Sequence, residues 1–182
     1  MQKVYLSLGA NLGDRAAQID TAIGLLDAAG IKVLRRSSLY ETEPQDLPNQ
    51  PWFYNLVVEA ETALFPLQVL RQIERIEKEM GRQRVVAKGP RRIDIDILFF
   101  GAFVIETKKL QIPHPRLDQR RFVLEPLAEL APTLSHPALK RTIRQLLADL
   151  RGQAVRRVSA VAPSPAGTKS ENRRPRPPRA PS

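Results

Sequence analysis

The stretch GPRRIDIDILFF, residues 89–100, decides how this chain folds. Its second half is β-branched and aromatic, without glycine or proline, and this predicts a buried strand of about seven residues. Because side chains alternate along a strand, Asp94 and Asp96 share one face, about 7 Å apart along the backbone. Two carboxylates on an apolar strand repel each other and lose water, and a divalent cation would relieve both effects. Arg91 and Arg92 suit phosphate, so the stretch indicates a magnesium-nucleotide site, with a solvated strand face that carries two acids as the alternative.

Length and composition restrict the class of protein. The 182 residues predict one domain with room for a tail, and the absence of cysteine excludes disulfides and thiolate metal sites. The apolar runs are too short to span a bilayer, and the start of the chain lacks the apolar region of a secretory signal. We therefore expect a cytoplasmic protein, a monomer without a membrane partner.

The net charge of +10 is concentrated at the end of the chain. Residues 151–182 hold eight basic residues and one acid, a net charge of +7, and the first 150 residues carry only +3. The high isoelectric point is therefore weak evidence for nucleic-acid binding by the folded part, and we expect no nucleic-acid partner.

The first half of the chain alternates strand and helix patterns. Val4–Leu8 predicts a strand, and Asp14 is placed to cap a helix that ends at Gly30. Further strands are predicted over Ile31–Tyr40 and Trp52–Thr62, separated by a polar loop.

A second helix is predicted from Pro66 to the residue before Gly81. Its apolar stripe is predicted to consist of Leu67, Leu70, Ile73 and Met80. Glu77 falls on this stripe, where an acid does not fit the pattern.

Beyond the acidic strand, a hairpin is predicted that pairs Phe99–Gly101 with Phe103–Ile105. Two prolines make Ile112–Pro115 a rigid turn around His114. Phe122–Leu130 and Thr142–Leu150 predict short helices.

The element order β-α-β-β-α-β predicts an α+β fold with a ferredoxin-like core. Such a core has a mostly antiparallel sheet with helices packed on it, and the hairpin and the last helices follow it. We assign residues 1–158 to this domain and residues 159–182 to a disordered tail rich in proline and arginine.

Three smaller features leave alternatives open. The turn Gly9–Arg15 lacks the spacing and the lysine of a phosphate-binding P-loop, and a plain tight turn is as consistent with it as a ligand contact. Asn55 shares a strand face with Phe53, which suits a flat heterocycle as well as an ordinary solvated face. His114 is either a structural turn residue or a phosphate donor.

Several segments together resemble the 6-hydroxymethyl-7,8-dihydropterin pyrophosphokinases of folate synthesis. The matching segments are YLSLGANLGD (5–14), SLYETEP (38–44), QPWFYN (50–55), IE (76–77), GR (81–82), GPRRIDIDI (89–97), IPHP (112–115) and RRFVLEPL (120–127). The resemblance covers about residues 4–150. It implies a ferredoxin-like core and transfer of pyrophosphate from ATP to the pterin hydroxymethyl group, with AMP as the second product.

The resemblance also implies roles for individual residues. Asp94 and Asp96 would hold two Mg²⁺ ions, and these two acids with Arg82 and Arg91 would form the catalytic set. The implied ATP-binding residues are Glu77, Arg82, Arg84, Arg91, Leu98, Leu110, His114 and Arg120. The implied pterin-binding residues are Thr42, Pro44, Phe53, Asn55 and Phe122.

The chain departs from the family before Gly89. Lys88 stands where many members have a tryptophan, and the loop from Arg82 to Lys88, a lid in the family, is about one residue shorter. The alternative hypothesis is an RNA-binding module on a ferredoxin-like sheet, helped by the basic tail. It would need exposed aromatic residues where the acidic strand instead carries carboxylates that repel phosphate.

Overall fold

A computed structural model describes residues 1–45, 49–81 and 89–158. Its strands within these ranges are β1 (Gln2–Ala10), β2 (Ile31–Arg36), β3 (Tyr40–Thr42), β4 (Phe53–Thr62), β5 (Asp94–Phe100), β6 (Ile105–Glu106), β7 (Gln111–Ile112) and β8 (Val155–Arg157). The α-helices are α1 (Arg15–Ala28), α2 (Pro66–Glu79), α3 (Arg121–Leu130) and α4 (Ile143–Asp149). A short 3₁₀ helix covers Leu117–Gln119.

The main sheet has the order β5-β1-β4-β3-β8, and β2 also pairs with β4. Each of these pairs is antiparallel. With β1 and β4 in the centre and β5 and β2 outside them, the sheet has the predicted ferredoxin-like topology. The predicted α+β fold is therefore confirmed.

The sheet is covered on both faces. Even-numbered residues of β1, such as Leu6 and Leu8, face α1 and α2 in one apolar core. Tyr5 of β1 and Val57 of β4 face α3 and α4 in a second core on the other side. Alternation along the strands thus separates two cores, and we call the second face the α3 face.

The prediction of one continuous strand over Ile31–Tyr40 is wrong, because the chain forms two strands there. Residues 37–39 lie opposite only two residues of β4, between the pairs Arg36/Val58 and Tyr40/Asn55. Ser37 fills this bulge, since its hydroxyl accepts the amide hydrogen of Val57 at 3.0 Å. The bulge ends β2 and lets β3 begin on its own.

The predicted stripe of the second helix is partly wrong. Leu67 is 50% exposed, and the buried residues are Pro66, Val69, Ile73, Ile76 and Glu77. Leu70 and Met80 pack at the margin of the core. The stripe therefore begins at Pro66 and Val69, and Glu77 belongs to it.

The predicted hairpin exists but pairs different residues. Ile105–Glu106 pairs with Gln111–Ile112, and Phe99–Phe100 stays in the main sheet with β1. A turn at Gly101, with φ of 50°, separates the two sheets. The run of apolar residues over 99–105 does not show which neighbour the second strand pairs with.

The cap of α1 and the two C-terminal helices lie where expected. Asp14 caps α1 by accepting the amide hydrogen of Ala17 at 3.0 Å, and the two C-terminal helices are α3 and α4. The assigned tail, residues 159–182, lies outside the described part of the chain. Among the described helices, none is long and apolar enough to span a membrane.

A buried carboxylate, that of Glu59, stabilises the α3 face at the end where β1 begins. Glu59 of β4 accepts hydrogen bonds from Tyr5 at 2.9 Å and Arg35 at 2.6 Å, and it lies 3.2 Å from Lys3. Burial alone would raise the pKa of Glu59, but these three donors hold it below its ordinary value. Burial and the bond to Glu59 raise the pKa of Tyr5 to about 12.

We expect Glu59→Gln to lower the free energy of unfolding by about 1–2 kcal/mol at pH 7, because charged hydrogen bonds become neutral ones. Since the folded-state pKa of Glu59 is depressed, its contribution is present above the unfolded pKa and is lost as the pH falls through the folded value. Urea unfolding between pH 7 and pH 3 measures this. Glu61→Gln in the same strand is the control, and an equal loss in both variants would contradict the assignment.

Candidate active site

A cleft of about 220 Å³ opens on the α3 face, where β1 ends and β4 and β5 begin. The strands contribute Ser7, Gly9, Thr42, Phe53, Asn55, Asp94 and Asp96 to its lining. The loops and the start of α3 contribute Glu43, Gln45, Gln50, Arg91, His114, Arg116, Arg120 and Phe122. One cleft therefore collects residues that are more than 100 positions apart in the sequence.

Gly9 forms the centre of the cleft floor. In the sheet it pairs with Asn55 on one side and Asp94 on the other. A Cβ atom at Gly9 would lie 2.5 Å from the Oδ1 of Asn55. The site thus requires a residue without a side chain between the amide and the acid.

Thr42 and Asn55 form a buried polar pair beside this floor. Asn55 donates from Nδ2 to the hydroxyl oxygen of Thr42 at 2.6 Å, and the two residues are 5% and 2% exposed. Buried polar groups of this kind are held in one orientation by their hydrogen bonds. The pair therefore presents a fixed pattern of donors and acceptors to the cleft.

The two aspartates of β5 point into the cleft, as the alternation predicts. Asp94 accepts a hydrogen bond from Arg91 at 2.8 Å, and Arg120 lies 3.5 Å from Asp96. The repulsion expected between the acids is thus offset by a cation beside each of them. Ser7 of β1 stands opposite Asp96 and completes this part of the floor.

The backbone of Arg91 is fixed by Asn11, and its side chain is only partly paired. Asn11 accepts the amide hydrogen of Arg91 at 2.8 Å and donates its own amide hydrogen to the Arg91 carbonyl at 3.1 Å. Asn11 also donates to Gln50 and to the carbonyl of Pro51. The Nε of Arg91 is buried without a hydrogen-bond partner in the described residues. A buried donor of this kind suits an anionic ligand.

His114 is held in one tautomer by the turn around it. Its Nδ1 accepts the amide hydrogen of Arg116 at 3.2 Å, and its own amide donates to the carbonyl of Leu98. Burial, then the charges of Arg120 and Arg116, lower the pKa of His114 to about 4. The ring is therefore neutral at pH 7, and its proton is on Nε2, 3.9 Å from Asp96.

Two aromatic side chains line the cleft from different elements. Phe53 begins β4 and Phe122 lies in the first turn of α3. The guanidinium groups of Arg91 and Arg120 lie 5.7 Å and 5.6 Å from the ring centres of Phe53 and Phe122, respectively. Each ring therefore has an arginine within cation–π distance.

A second cleft of about 330 Å³ adjoins the first at the open edge of β5. Leu70, Ile97 and Leu110 provide its apolar surface, and Asp96 and His114 line both clefts. Leu98 does not share this surface, because it is 1% exposed in the core of the α3 face. A ligand that occupies both clefts would pass the acid and the histidine.

Glu77 supports the same edge from beneath. It is 4% exposed, and its Oε1 accepts the amide hydrogen of Ile95 at 2.9 Å. This bond gives the acid on the apolar stripe a structural reason, since it satisfies a backbone donor next to both aspartates.

The donor set fits a hard cation that is shared with a substrate. Asp94 and Asp96 are carboxylates on one face, 24% and 37% exposed at an open cleft. Within residues 1–45, 49–81 and 89–158, no cluster of three or more histidines, cysteines or acids could hold a metal alone. Mg²⁺ binds in proteins through one or two carboxylates together with waters and phosphate oxygens.

The sequence profile of the family described as 7,8-dihydro-6-hydroxymethylpterin-pyrophosphokinase (HPPK) matches residues 5–132. The chain belongs to this family. The match contains both aspartates, both aromatic residues and the Thr42–Asn55 pair.

Relatives of the chain carry names that agree with this family. The folic acid synthesis protein fol1 of Pneumocystis carinii is 48% identical over 136 residues, which are 75% of this chain and 18% of that protein. The 2-amino-4-hydroxy-6-hydroxymethyldihydropteridine pyrophosphokinase of Aquifex aeolicus is 41% identical over 80% of this chain and 90% of its own length. The chain thus spans about a fifth of the fungal protein and most of the bacterial one.

A solved structure confirms the fold. The Plasmodium falciparum HPPK-DHPS structure with SDX-DHP has a TM-score of 0.65 at 23% identity. It covers 81% of this chain, and the chain covers 43% of it. With the HPPK profile and this fold, the alternative of an RNA-binding module has no support.

Most of the predicted site residues of this HPPK domain meet in the two clefts. Leu98 and Glu77 line neither cleft, although Leu98 accepts the amide hydrogen of His114 and Glu77 accepts that of Ile95. Pro44 lies between the lining residues Glu43 and Gln45. Arg82 and Arg84 lie outside the described residues, as does Lys88. Six residues that line the first cleft were not predicted from the sequence: Ser7, Gly9, Glu43, Gln45, Gln50 and Arg116.

We expect Gly9→Ala to lower the free energy of unfolding by about 1–2 kcal/mol, because the new methyl group must displace Asn55 from Thr42. Gly24→Ala is the matched control, since a Cβ there has nothing within 4 Å. In the middle of α1 it should stabilise by about 0.5–1 kcal/mol. Denaturant unfolding of both variants measures the difference, and a neutral Gly9→Ala would contradict the tight floor.

Proposed function

We propose that this chain transfers the pyrophosphoryl group of ATP to the hydroxymethyl oxygen of 6-hydroxymethyl-7,8-dihydropterin, with AMP as the second product. The observation that carries the proposal is the placement of Asp94 and Asp96 in one cleft with an aromatic pair and three cations. Membership of the HPPK family supports the same reaction.

The pterin would bind between Phe53 and Phe122, with the Thr42–Asn55 pair at its edge. Asn55 donates one Nδ2 hydrogen to Thr42, and its Oδ1 remains as an acceptor. An N–H of the pterin ring is the complementary group. Pro44 would contribute to the same wall through the loop that continues from Thr42.

The nucleotide would occupy both clefts. Its adenine would lie on Leu110 and Ile97 in the second cleft, and its phosphates would pass Asp96 and His114 into the first. Neutral His114 can donate one hydrogen bond from Nε2 to a phosphate oxygen. Arg91 would offer its unpaired Nε, and Arg120 would add charge.

Two Mg²⁺ ions would be held by Asp94 and Asp96 together with phosphate oxygens. When bound, they supply charge neutralisation for the attacking and leaving oxygens. Arg91 and Arg120, which lie beside these acids, would then move to the phosphates. Arg82 and Arg84 would assist from the segment before Gly89.

The chemistry consists mainly of positioning. A bond forms between the hydroxymethyl oxygen and the β-phosphorus while the bond from that phosphorus to the bridging oxygen breaks, and AMP leaves with the bonding electron pair. The proton of the hydroxyl group passes to an aspartate or to water. The cleft holds the two substrates in line, and the arginines stabilise the charge on the phosphoryl oxygens. The apolar aromatic walls exclude water that would compete as an acceptor.

We expect Asp96→Asn to reduce turnover by about 10²–10³-fold or more, because the variant loses a charged ligand for the ions. AMP release from ATP with the pterin and Mg²⁺ measures this, with unfolding by denaturant as a check on the fold. Asp20→Asn on α1 is the control and should retain turnover. Normal AMP release by Asp96→Asn would refute the assignment of the acid.

We also propose that residues 1–158 suffice for the reaction and that residues 159–182 are an appendage. Deletion of residues 159–182 should leave kcat and both KM values unchanged within error, because the cleft is built from residues up to 122. The same assay at two salt concentrations measures this. A loss of activity that the deletion causes at both concentrations would show that the tail belongs to the domain.

A further inference from the structure

The segment after α4 returns to the cleft without entering it. The HPPK profile ends at residue 132, so this segment lies beyond the matched range. Residues 153–158, which we call the C-terminal clasp, contact the two elements that carry the opposite walls of the cleft. None of these six residues lines either cleft described above.

On one side, the clasp extends the main sheet. β8 pairs with β3 in an antiparallel register that sets Arg156 opposite Glu41 and Val155 opposite Thr42. Backbone bonds flank this register at each end, from Val158 to Leu39 at 2.8 Å and from Glu43 to Ala154 at 3.2 Å. The strand that holds Thr42 against Asn55 is therefore held by β8 on its other edge.

On the other side, the clasp fixes the beginning of α3. The Oε1 of Gln153 accepts the amide hydrogen of Arg121 at 2.7 Å, and its Nε2 donates to the carbonyl of Gln119 at 2.8 Å. The first amide of a helix has no partner within the helix, so this bond satisfies it. Arg121 stands between Arg120 and Phe122, and both of these line the cleft.

A side chain of β8 adds a third connection. Arg156 pairs with Glu41 at 2.8 Å, and Glu41 also pairs with Arg15 at 3.0 Å. Arg15 donates to the carbonyl of Trp52 at 2.7 Å, and the guanidinium of Arg156 lies 5.1 Å from the centre of the Trp52 ring. This network fixes the residue that precedes Phe53.

We propose that Gln153 and β8 are positioning elements that set the separation between the pterin-reading wall at Thr42 and the stacking wall at Phe122. The proposal rests on the proposed function, since it assigns these walls to the pterin. The six consecutive residues of the clasp contact both walls. They therefore fix the distance between one wall and the other. Loss of the contacts with either wall should raise the pterin KM even where the protein stays folded.

The first test compares two glutamines that cap helices. Gln68 accepts the amide hydrogen of Phe65 at the start of α2, on the other face of the sheet. Gln153→Ala removes both side-chain bonds to the start of α3 and should raise the pterin KM about fivefold. Gln68→Ala should lower the thermal stability similarly and leave the pterin KM unchanged. Gln153→Glu keeps the acceptor for Arg121 and should restore most of the affinity.

The second test removes one ladder bond. Backbone bonds join Val158 to Leu39 and Glu43 to Ala154, and hydrogen-bonded and non-hydrogen-bonded pairs alternate along an antiparallel ladder. The Glu41/Arg156 pair between them is therefore hydrogen-bonded, and the N–H of Arg157 points away from β3. Arg156→Pro should raise the pterin KM about fivefold above Arg156→Ala, as one ladder bond is lost. Arg157→Pro should equal Arg157→Ala, since proline is tolerated where the N–H faces outward.

The outcomes separate the two proposals. A wild-type chain that releases no AMP with ATP, Mg²⁺ and the pterin contradicts the proposed function. An active wild-type chain whose pterin KM is unaffected by Gln153→Ala and Arg156→Pro, or is affected equally by Gln68→Ala, overturns the clasp alone. Calorimetric binding of 6-hydroxymethylpterin to each variant gives the same comparison without turnover.

Discussion

The close approach of Gly9 to Asn55 is the constraint on which the site depends. β1 lies between β4 and β5, so its last residues form the floor between an amide on one neighbour and an acid on the other. A glycine at this position leaves room for a ligand above the backbone and keeps Asn55 against Thr42. In the proposed function, the amide that reads the pterin and the acid that binds the metal therefore lie on either side of a single strand.

Electrostatic balance follows from the same arrangement. Each aspartate of β5 has an arginine beside it, and His114 is kept neutral by burial and by the positive charges around it. The cleft therefore holds acids and cations close together without a ligand. In the proposed complex, phosphates would take the place of the acids beside the arginines and Mg²⁺ would take the place of the arginines beside the acids, so that no buried charge would be left unpaired.

The sequence predicted those parts of the structure that local patterns determine. The alternation around Asp94 and Asp96 predicted a strand and its acidic face, and the order of elements predicted the sheet. The bulge at Ser37 and the partner of Ile105 depend on pairing between strands, which no local pattern contains. Ser7 and Gly9 were missed as site residues for the same reason, because only the register of β1 against its two neighbours brings them to the cleft.

The walls of the cleft also depend on contacts at the two ends of α3. Tyr40 of β3 donates a hydrogen bond to Glu129 of α3, and Ser38 donates its amide hydrogen to the same carboxylate at 2.9 Å. Gln153 adds its bonds at the other end of α3. The two walls are therefore joined at both ends of one helix, although these residues lie outside the motif that first indicated the function.

The most direct test of the account is the fate of each phosphate of ATP. Purified protein would be incubated with Mg²⁺, 6-hydroxymethyl-7,8-dihydropterin and ATP labelled at the α, β or γ phosphorus in separate reactions. We expect the β and γ labels to move together to the pterin and the α label to remain in AMP. Transfer of the γ label alone, with ADP as the second product, would contradict attack at the β-phosphorus.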